Sequence, residues 1–310
     1  MEAKLDTNMK TNNHSLNGKY YIIALTSAFL FCSKGFFIKG LYSEGFDAVG
    51  SQALRVLFAF PFYFVALCVG WKSIKNVARK DMIIICILGF FSYFLASILS
   101  FKGLELISVG LERLILFAYP IIVLIGNAIF LGEKQTYRHY LACVGVILGL
   151  FFVIQDEIKL SNDPRDIVIG SLLVFSSTVT YAAYLLVAKP IITRIGAQTV
   201  TTMGMTFSSL FVFVYAFGVE QRPIMPSFET NVILLGVAIA VFGTVLPTYL
   251  TSYSLSKISS SSHSIISVVA PVIVIAIANV IDQKTPTGLQ ILGMVITIGG
   301  SFLAGFKPNK

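Results

Sequence analysis

Ten stretches of this chain are each about as long and as apolar as a helix must be to cross a lipid bilayer. A helix rises about 1.5 Å per residue, so roughly 20 apolar residues span the hydrocarbon core. Such runs occupy 20–40, 48–70, 81–101, 107–131, 137–155, 168–188, 198–218, 230–253, 258–281 and 287–306. They leave little of the 310 residues over. Only 12% of the chain is charged, against about 25% for a soluble domain, so the surface of a water-soluble globule cannot be assembled from it. No alternation of period two marks the runs, which sets aside a membrane barrel. The expected fold is all-α and integral to the membrane, with ten transmembrane helices.

A net charge of +8 suits a nucleic-acid partner, but no recognition motif for one occurs. The charge sorts by side instead. With the N-terminus in the cytoplasm, fourteen Lys and Arg residues fall in inner segments and six (Lys39, Lys102, Lys159, Arg165, Arg222 and Lys284) in outer ones. Positive loops stay inside. Ten spans then place both termini in the cytoplasm, and the expected location is the bacterial inner membrane. Residues 1–18 read as a disordered cytoplasmic leader and 307–310 as a cytoplasmic tail. Cys32, Cys68, Cys86 and Cys143 lie inside apolar runs without metal-ligand spacing and read as small buried hydrophobes.

The two halves overlay. A shift of 151 residues puts Pro120 on Pro271, Gly45 on Gly196, Ser97 on Thr248 and Ser100 on Thr251. A shift of 148 puts Gly145 on Gly293. The chain divides into a five-helix unit at 19–155, an external polar loop at 156–167, and a second five-helix unit at 168–306. Five spans is an odd number, so the second unit enters the membrane upside down. Inverted repeats of this kind are common in secondary transporters, whose site lies near the midplane between halves.

Two segments carry a family resemblance. Ile107 to Leu114, continuing through Tyr119-Pro120 to Leu131-Gly132-Glu133-Lys134, resembles the fourth-helix pattern of the ten-span, two-EamA-domain proteins of the drug/metabolite transporter (DMT) superfamily. Arg55, within Gln52-Ala53-Leu54-Arg55-Val56, resembles that family's second-helix arginine. The second unit departs, ending its ninth span with Ile281-Asp282-Gln283-Lys284 where Leu-Gly-Glu would stand. The resemblance implies two EamA repeats and transport of a small metabolite, often outward. It names no substrate.

Ionisable residues at membrane depth are costly and therefore mark candidate sites. Lys34, Arg55, Glu112 and Arg113 fall in the outer third of their spans and sum to +2. Two readings stand. The group is either a vestibule for an amino acid, related zwitterion or organic anion, or an internal neutralisation in which Glu112 pairs with Lys34 or Arg55. His263 occupies the place of Glu112 in the second half and is the candidate for proton coupling, or else it bonds to the serines around it. Pro120 and Pro271 free the carbonyls of Leu116 and Ser267, which suits helices lining a cavity. Glu112, Leu116, Tyr119 and Val123 then form one face. Tyr93, Tyr181 and Tyr184 add aromatic walls. Candidate solute contacts are thus Lys34, Tyr93, Glu112, Arg113, Tyr119, Tyr181, Tyr184, His263 and Ser267, with Arg55, Pro120 and Pro271 structural or gating. Ser177 stands with Tyr181 and Tyr184 on the sixth span as wall, the threonines read as interhelical glue, and Gly145-x-x-x-Gly149 reads as a close-packing seam within the monomer or at a dimer face.

Gly-x-Ser-x-Gly, His-Glu-x-x-His and a phosphate-binding loop are all absent, so neither an enzyme nor a directly ATP-driven pump is expected, and no cofactor or metal. The expected partners are the lipid bilayer and a small solute; no oligomer is indicated. The remaining alternative is a channel or a non-transporting membrane scaffold, although the sparse, lopsided charge lacks the rings of a pore.

Overall fold

The computed structural model describes residues 2–130, 137–160, 163–221, 229–255, 269–281 and 285–305. These residues are helical, with short turns between. In chain order the helices are α1 (Glu2–Ser43), α2 (Ala48–Val69), α3 (Trp71–Ile74), α4 (Arg79–Leu88), α5 (Ala96–Leu106), α6 (Val109–Leu116), α7 (Tyr119–Phe130), α8 (Tyr137–Leu160) and α9 (Pro164–Ile195). They continue as α10 (Ala197–Phe213), α11 (Thr230–Ala240), α12 (Leu246–Leu255), α13 (Val269–Ile281) and α14 (Gly288–Gly305). Three wider, π-helical turns are built in. π1 (Gly89–Leu95) joins α4 to α5, π2 (Val214–Val219) extends α10, and π3 (Val241–Val245) joins α11 to α12. Among the described residues eight segments are long and apolar enough to cross a membrane, and Gly288–Gly300 is a shorter apolar helix.

Burial shows which solvent the outside expects. Val280 is 77% exposed and Ile129 69%, while Glu112 is 0% exposed. At membrane depth apolar side chains face outward while Arg55, Glu112 and Arg113 face inward, as suits lipid. Of the cysteines only Cys32 is buried; Cys68 is exposed and the other two are partly so, because lipid accepts a small hydrophobe as readily as the core does.

The repeat is visible in the packing. α9 lies along α5 as α1 lies along α12, α2 packs on α10, α6 on α13, and α8 on α14. Details match at the 151-residue spacing. Tyr93 lies in π1 and Thr244 in π3. Gly45 and Gly196 both have positive φ, +84° and +98°. Ser27 Oγ donates to the Pro247 carbonyl at 2.8 Å, and Ser177 Oγ donates to the Ala96 carbonyl at 2.7 Å, the same helix crossing in the two halves with the acceptors 151 residues apart and the donors 150. Gly196 has φ 98° and ψ 140°, a region open essentially to glycine alone. Gly196→Ala is therefore expected to destabilise by about 1–3 kcal/mol although nothing lies within 4 Å of the added carbon. The thermal midpoint in detergent checks this; an unchanged midpoint would mean the α9–α10 turn relaxes freely.

Three boundaries differ from the sequence reading. α1 extends back to Glu2 through the leader, since residues 2–17 contain no Gly or Pro and extending a helix costs less than starting one. The polar segment 156–167 is mostly helical, leaving only 161–163 between α8 and α9. Asp163 makes this short link work: it caps α9 by accepting from Arg165 N at 3.1 Å, and Pro164 stands in the first turn, where its missing N–H costs nothing. Asp156 in turn accepts from Thr287 Oγ1 at 2.7 Å, tying the end of α8 to the approach to α14. The fourth span is not one kinked helix. It stops at Leu116, turns at Phe117–Ala118 and restarts at Tyr119, so Pro120 falls in a first turn instead of an interior. Pro271 lies in α13, and the residues before Val269 lie outside those described. Because of that turn, Glu112, Leu116, Tyr119 and Val123 share no continuous face.

Candidate functional site

The candidate residues gather into two groups at different depths between the repeats. The turns at 44–47 and 107–108 and the α8–α9 link lie at one end of the bundle. Counted at about 1.5 Å per residue from those turns, the charged group lies roughly 5–14 Å down and the tyrosines roughly 15–30 Å down.

The charged group is organised around Phe101 of α5, which is fully buried. Lys34 Nζ of α1 stands 5.6 Å from its ring centre and Arg55 Cζ of α2 stands 5.7 Å from the same centre. Both are within cation–π range. Arg55 Nη1 also reaches Thr244 Oγ1 of π3 at 3.5 Å. Glu112 and Arg113 begin α6, which Ser108 caps by accepting from Leu111 N at 3.2 Å. Glu112 accepts from Ser100 Oγ at 2.7 Å, and its other oxygen lies 2.7 Å from Arg113 Nε. The carboxylate thus pairs with its sequence neighbour, not with Lys34 or Arg55. Neighbours on a helix point about 100° apart, so this pair folds back on itself and the contact is off the N–H direction. Arg113 Nη2 is left buried without a hydrogen-bond partner among the described residues. Gly35 of α1 lets α6 approach: a Cβ there would lie 2.8 Å from Val109 Cγ1, with Arg113 Nη2 in ordinary contact at 3.5 Å.

The aromatic group runs from α7 to α9 to π1. Tyr119 meets Phe117 edge-on at 6.2 Å between ring centres and Tyr181 at 5.6 Å. Tyr181 stacks on Tyr184 at 6.3 Å. Tyr93 OH donates to Tyr184 OH at 3.0 Å, with the rings edge-on at 5.3 Å. Ser177, read with these tyrosines as wall, instead holds the Ala96 carbonyl. The threonines hold backbone too: Thr248 Oγ1 bonds the Thr244 carbonyl and Thr244 Oγ1 the Ile239 carbonyl. The Ser177 bond ties two helices together, whereas these two threonine bonds stay within their own helical run.

His263 and Ser267 lie outside the described residues. Phe101 and Gln52 were missed by the sequence reading. Gln52 is one turn before Arg55 on α2 and fully buried, and its position within a span was the available signal. A cavity of about 260 Å³ between α6, α8 and α9 is bounded by Ile115, Leu150, Leu172 and Phe175 and touches neither group. Its apolar lining does not suit a polar solute. Among the described residues no cluster of His, Cys, Asp or Glu is arranged to hold a metal ion.

The fold has known counterparts. A solved crystal structure superposes with a TM-score of 0.63 at 15% identity, covering 93% of this chain and 96% of that one. An uncharacterized transporter of Bacillus subtilis, YcbK, is 26% identical over 299 residues, 93% of each chain. An uncharacterized transporter of Archaeoglobus fulgidus is 26% identical over 294 residues, covering 90% of this chain and 98% of its own. The profile of the EamA-like transporter family matches twice, at 18–155 and at 168–306, which coincides with the two structural repeats. The chain therefore belongs to the EamA-like transporter family.

Proposed function

We propose that the protein is a secondary transporter that exports a small carboxylate-bearing metabolite, an amino acid, related zwitterion or organic anion, by alternating access between its repeats. One observation carries this reading. The equivalent π turns each reach across the seam: Tyr93 of the first repeat bonds Tyr184 of the second, and Thr244 of the second receives Arg55 of the first. π turns interrupt the regular helical ladder and recur at functional sites. Here they place one repeat's polar side chains on the other repeat at two depths, as two gates on one route require.

On this reading the tyrosines hold the solute's organic part and the cations its carboxylate. Lys and Arg in the loops orient the protein in the inner membrane with both termini in the cytoplasm, so the charged group faces outward. An inside-negative potential then favours outward movement of an anion by about 2.3 kcal/mol per charge per 100 mV. His263 is the proposed proton carrier where the solute is zwitterionic.

Counterflow in proteoliposomes tests the proposal. Saturable exchange of a labelled carboxylate metabolite is expected. Flux that rises linearly with concentration supports a channel instead, and no flux across a panel of amino acids and organic anions overturns the proposal. Tyr93→Phe keeps the ring and removes the hydroxyl. It is expected to lower stability by about 1 kcal/mol and to raise KM severalfold in the exchange assay. Unchanged kinetics would take Tyr93 off the route.

A further inference from the structure

Among the described residues, the group around Phe101 carries more positive charge than its one ion pair answers, with Arg55 and Arg113 buried and Lys34 half-buried. Lys34, Arg55 and Arg113 contribute three formal cations, and Glu112 is the one carboxylate paired within the group. Arg55, Arg113 and Gln52 are each more than nine-tenths buried. Arg55 Nε, Arg113 Nη2 and Gln52 Nε2 have no hydrogen-bond partner among the described residues. Gln52 and Arg55 share one face of α2, three residues apart. The two cations on Phe101 lie against the electron-rich ring, and neither makes a close ion pair among the described residues; Glu112 acts on Lys34 from farther away. Buried charge without a partner is costly, and so is a buried donor left unpaired. The second repeat shows that the fold does not need these charges: at the 151-residue spacing Leu185 stands for Lys34, Thr206 for Arg55 and Ser264 for Arg113. A packing requirement of the repeat would load both halves alike.

We propose that Lys34, Arg55, Arg113 and Gln52 form a binding site for a small monovalent anion, a free carboxylate or chloride, beside Phe101. The unpartnered N–H groups supply the donors, and the cations supply the field in a region shielded from water. Glu112 lowers the charge of the group from +3 to +2 and holds Arg113 in place through the contact with Ser100. The anion's weaker competitor is thus the protein's own carboxylate. The site deepens the transport reading by naming which group of the solute is held and where. It stands on the geometry of the cluster, so binding and flux fail separately.

Purified full-length protein in detergent is titrated with sodium acetate in one series and sodium chloride in another. Sodium HEPES, with its bulky anion, keeps the ionic strength constant. The expected result is a saturating rise in thermal midpoint. Lys34→Met and Arg113→Gln are each expected to raise the half-saturating concentration at least tenfold. Glu112→Gln is expected to start from a lower midpoint and to gain more from the anion than wild type, a sign that loss of packing alone does not produce. Saturation by acetate only assigns the site to a carboxylate solute, and saturation by chloride only assigns it to a resident inorganic ion. Mutual competition assigns both to one site. A linear response of equal slope in wild type and Lys34→Met is a general salt effect and overturns the proposal. Flux without any anion response leaves the transport reading standing and removes this site; an anion response without flux does the reverse.

Discussion

Gly149→Ala is expected to destabilise the protein by on the order of 3 kcal/mol, while Gly145→Ala, one turn away on α8, stays within about 0.5 kcal/mol of wild type. The difference is geometric. A Cβ on Gly149 would lie 2.2 Å from Thr297 Oγ1, 2.5 Å from the Gly293 carbonyl oxygen and 2.7 Å from Thr297 N. Two of these are backbone atoms of α14, which cannot swing away. Thr297 Oγ1 is fixed as well, donating to the Gly293 carbonyl at 2.8 Å. The two helices would have to separate along their whole contact. A Cβ on Gly145 meets nothing closer than 3.8 Å, ordinary van der Waals contact. The seam thus closes each repeat's last helix on the other's, within one chain. Thermal midpoints of the two variants in one detergent check the contrast, and equal losses would mean that α8 and α14 do not pack as described.

Glu112→Leu is expected to cost about 3–5 kcal/mol, because it leaves Arg113 buried without its counter-charge. The double variant Glu112→Leu, Arg113→Met is expected to recover most of that loss, since a buried pair replaced by apolar residues of similar volume is often neutral. Each single change strands a charge, so the two losses must not add. A double-mutant cycle on unfolding measures the coupling. Additive losses would show that Arg113 is answered by something other than Glu112.

Much of the fold was legible because lipid imposes a simple rule: length and apolarity locate the spans, and an odd number of them inverts the second repeat. The matched glycines at 45 and 196 were readable as letters, and the structure shows why both are glycine, a positive φ at the first turn of each half. The partner of Gly149 was not readable, since a GxxxG face fits another helix of the chain or a second copy equally well. Details of the site depended on local backbone. The turn at Phe117–Ala118 moved Tyr119 off the face of Glu112 and toward Tyr181, and a proline alone does not distinguish a kink from a restart. One of the two readings paired Glu112 with Lys34 or Arg55 across helices, yet its own neighbour captured it, because Ser100 anchors the carboxylate on the side that Arg113 can reach. The π turns left no mark in composition. They are visible in the sequence only as the positions where Tyr93 and Thr244 coincide after the 151-residue shift.

The central claim is that two repeats rock about the seam on which these side chains meet. Double electron–electron resonance tests it directly, in a background with the four native cysteines replaced. One spin pair, at Glu44 and Arg165, spans the repeats at the end near the charged group. The other, at Lys75 and Gln198, spans them at the opposite end, where Arg194 contacts Asp81. Adding a transported solute is predicted to shift the two distance distributions in opposite directions, one widening as the other narrows. Distributions that stay fixed at both ends, or that move together, would contradict alternating access.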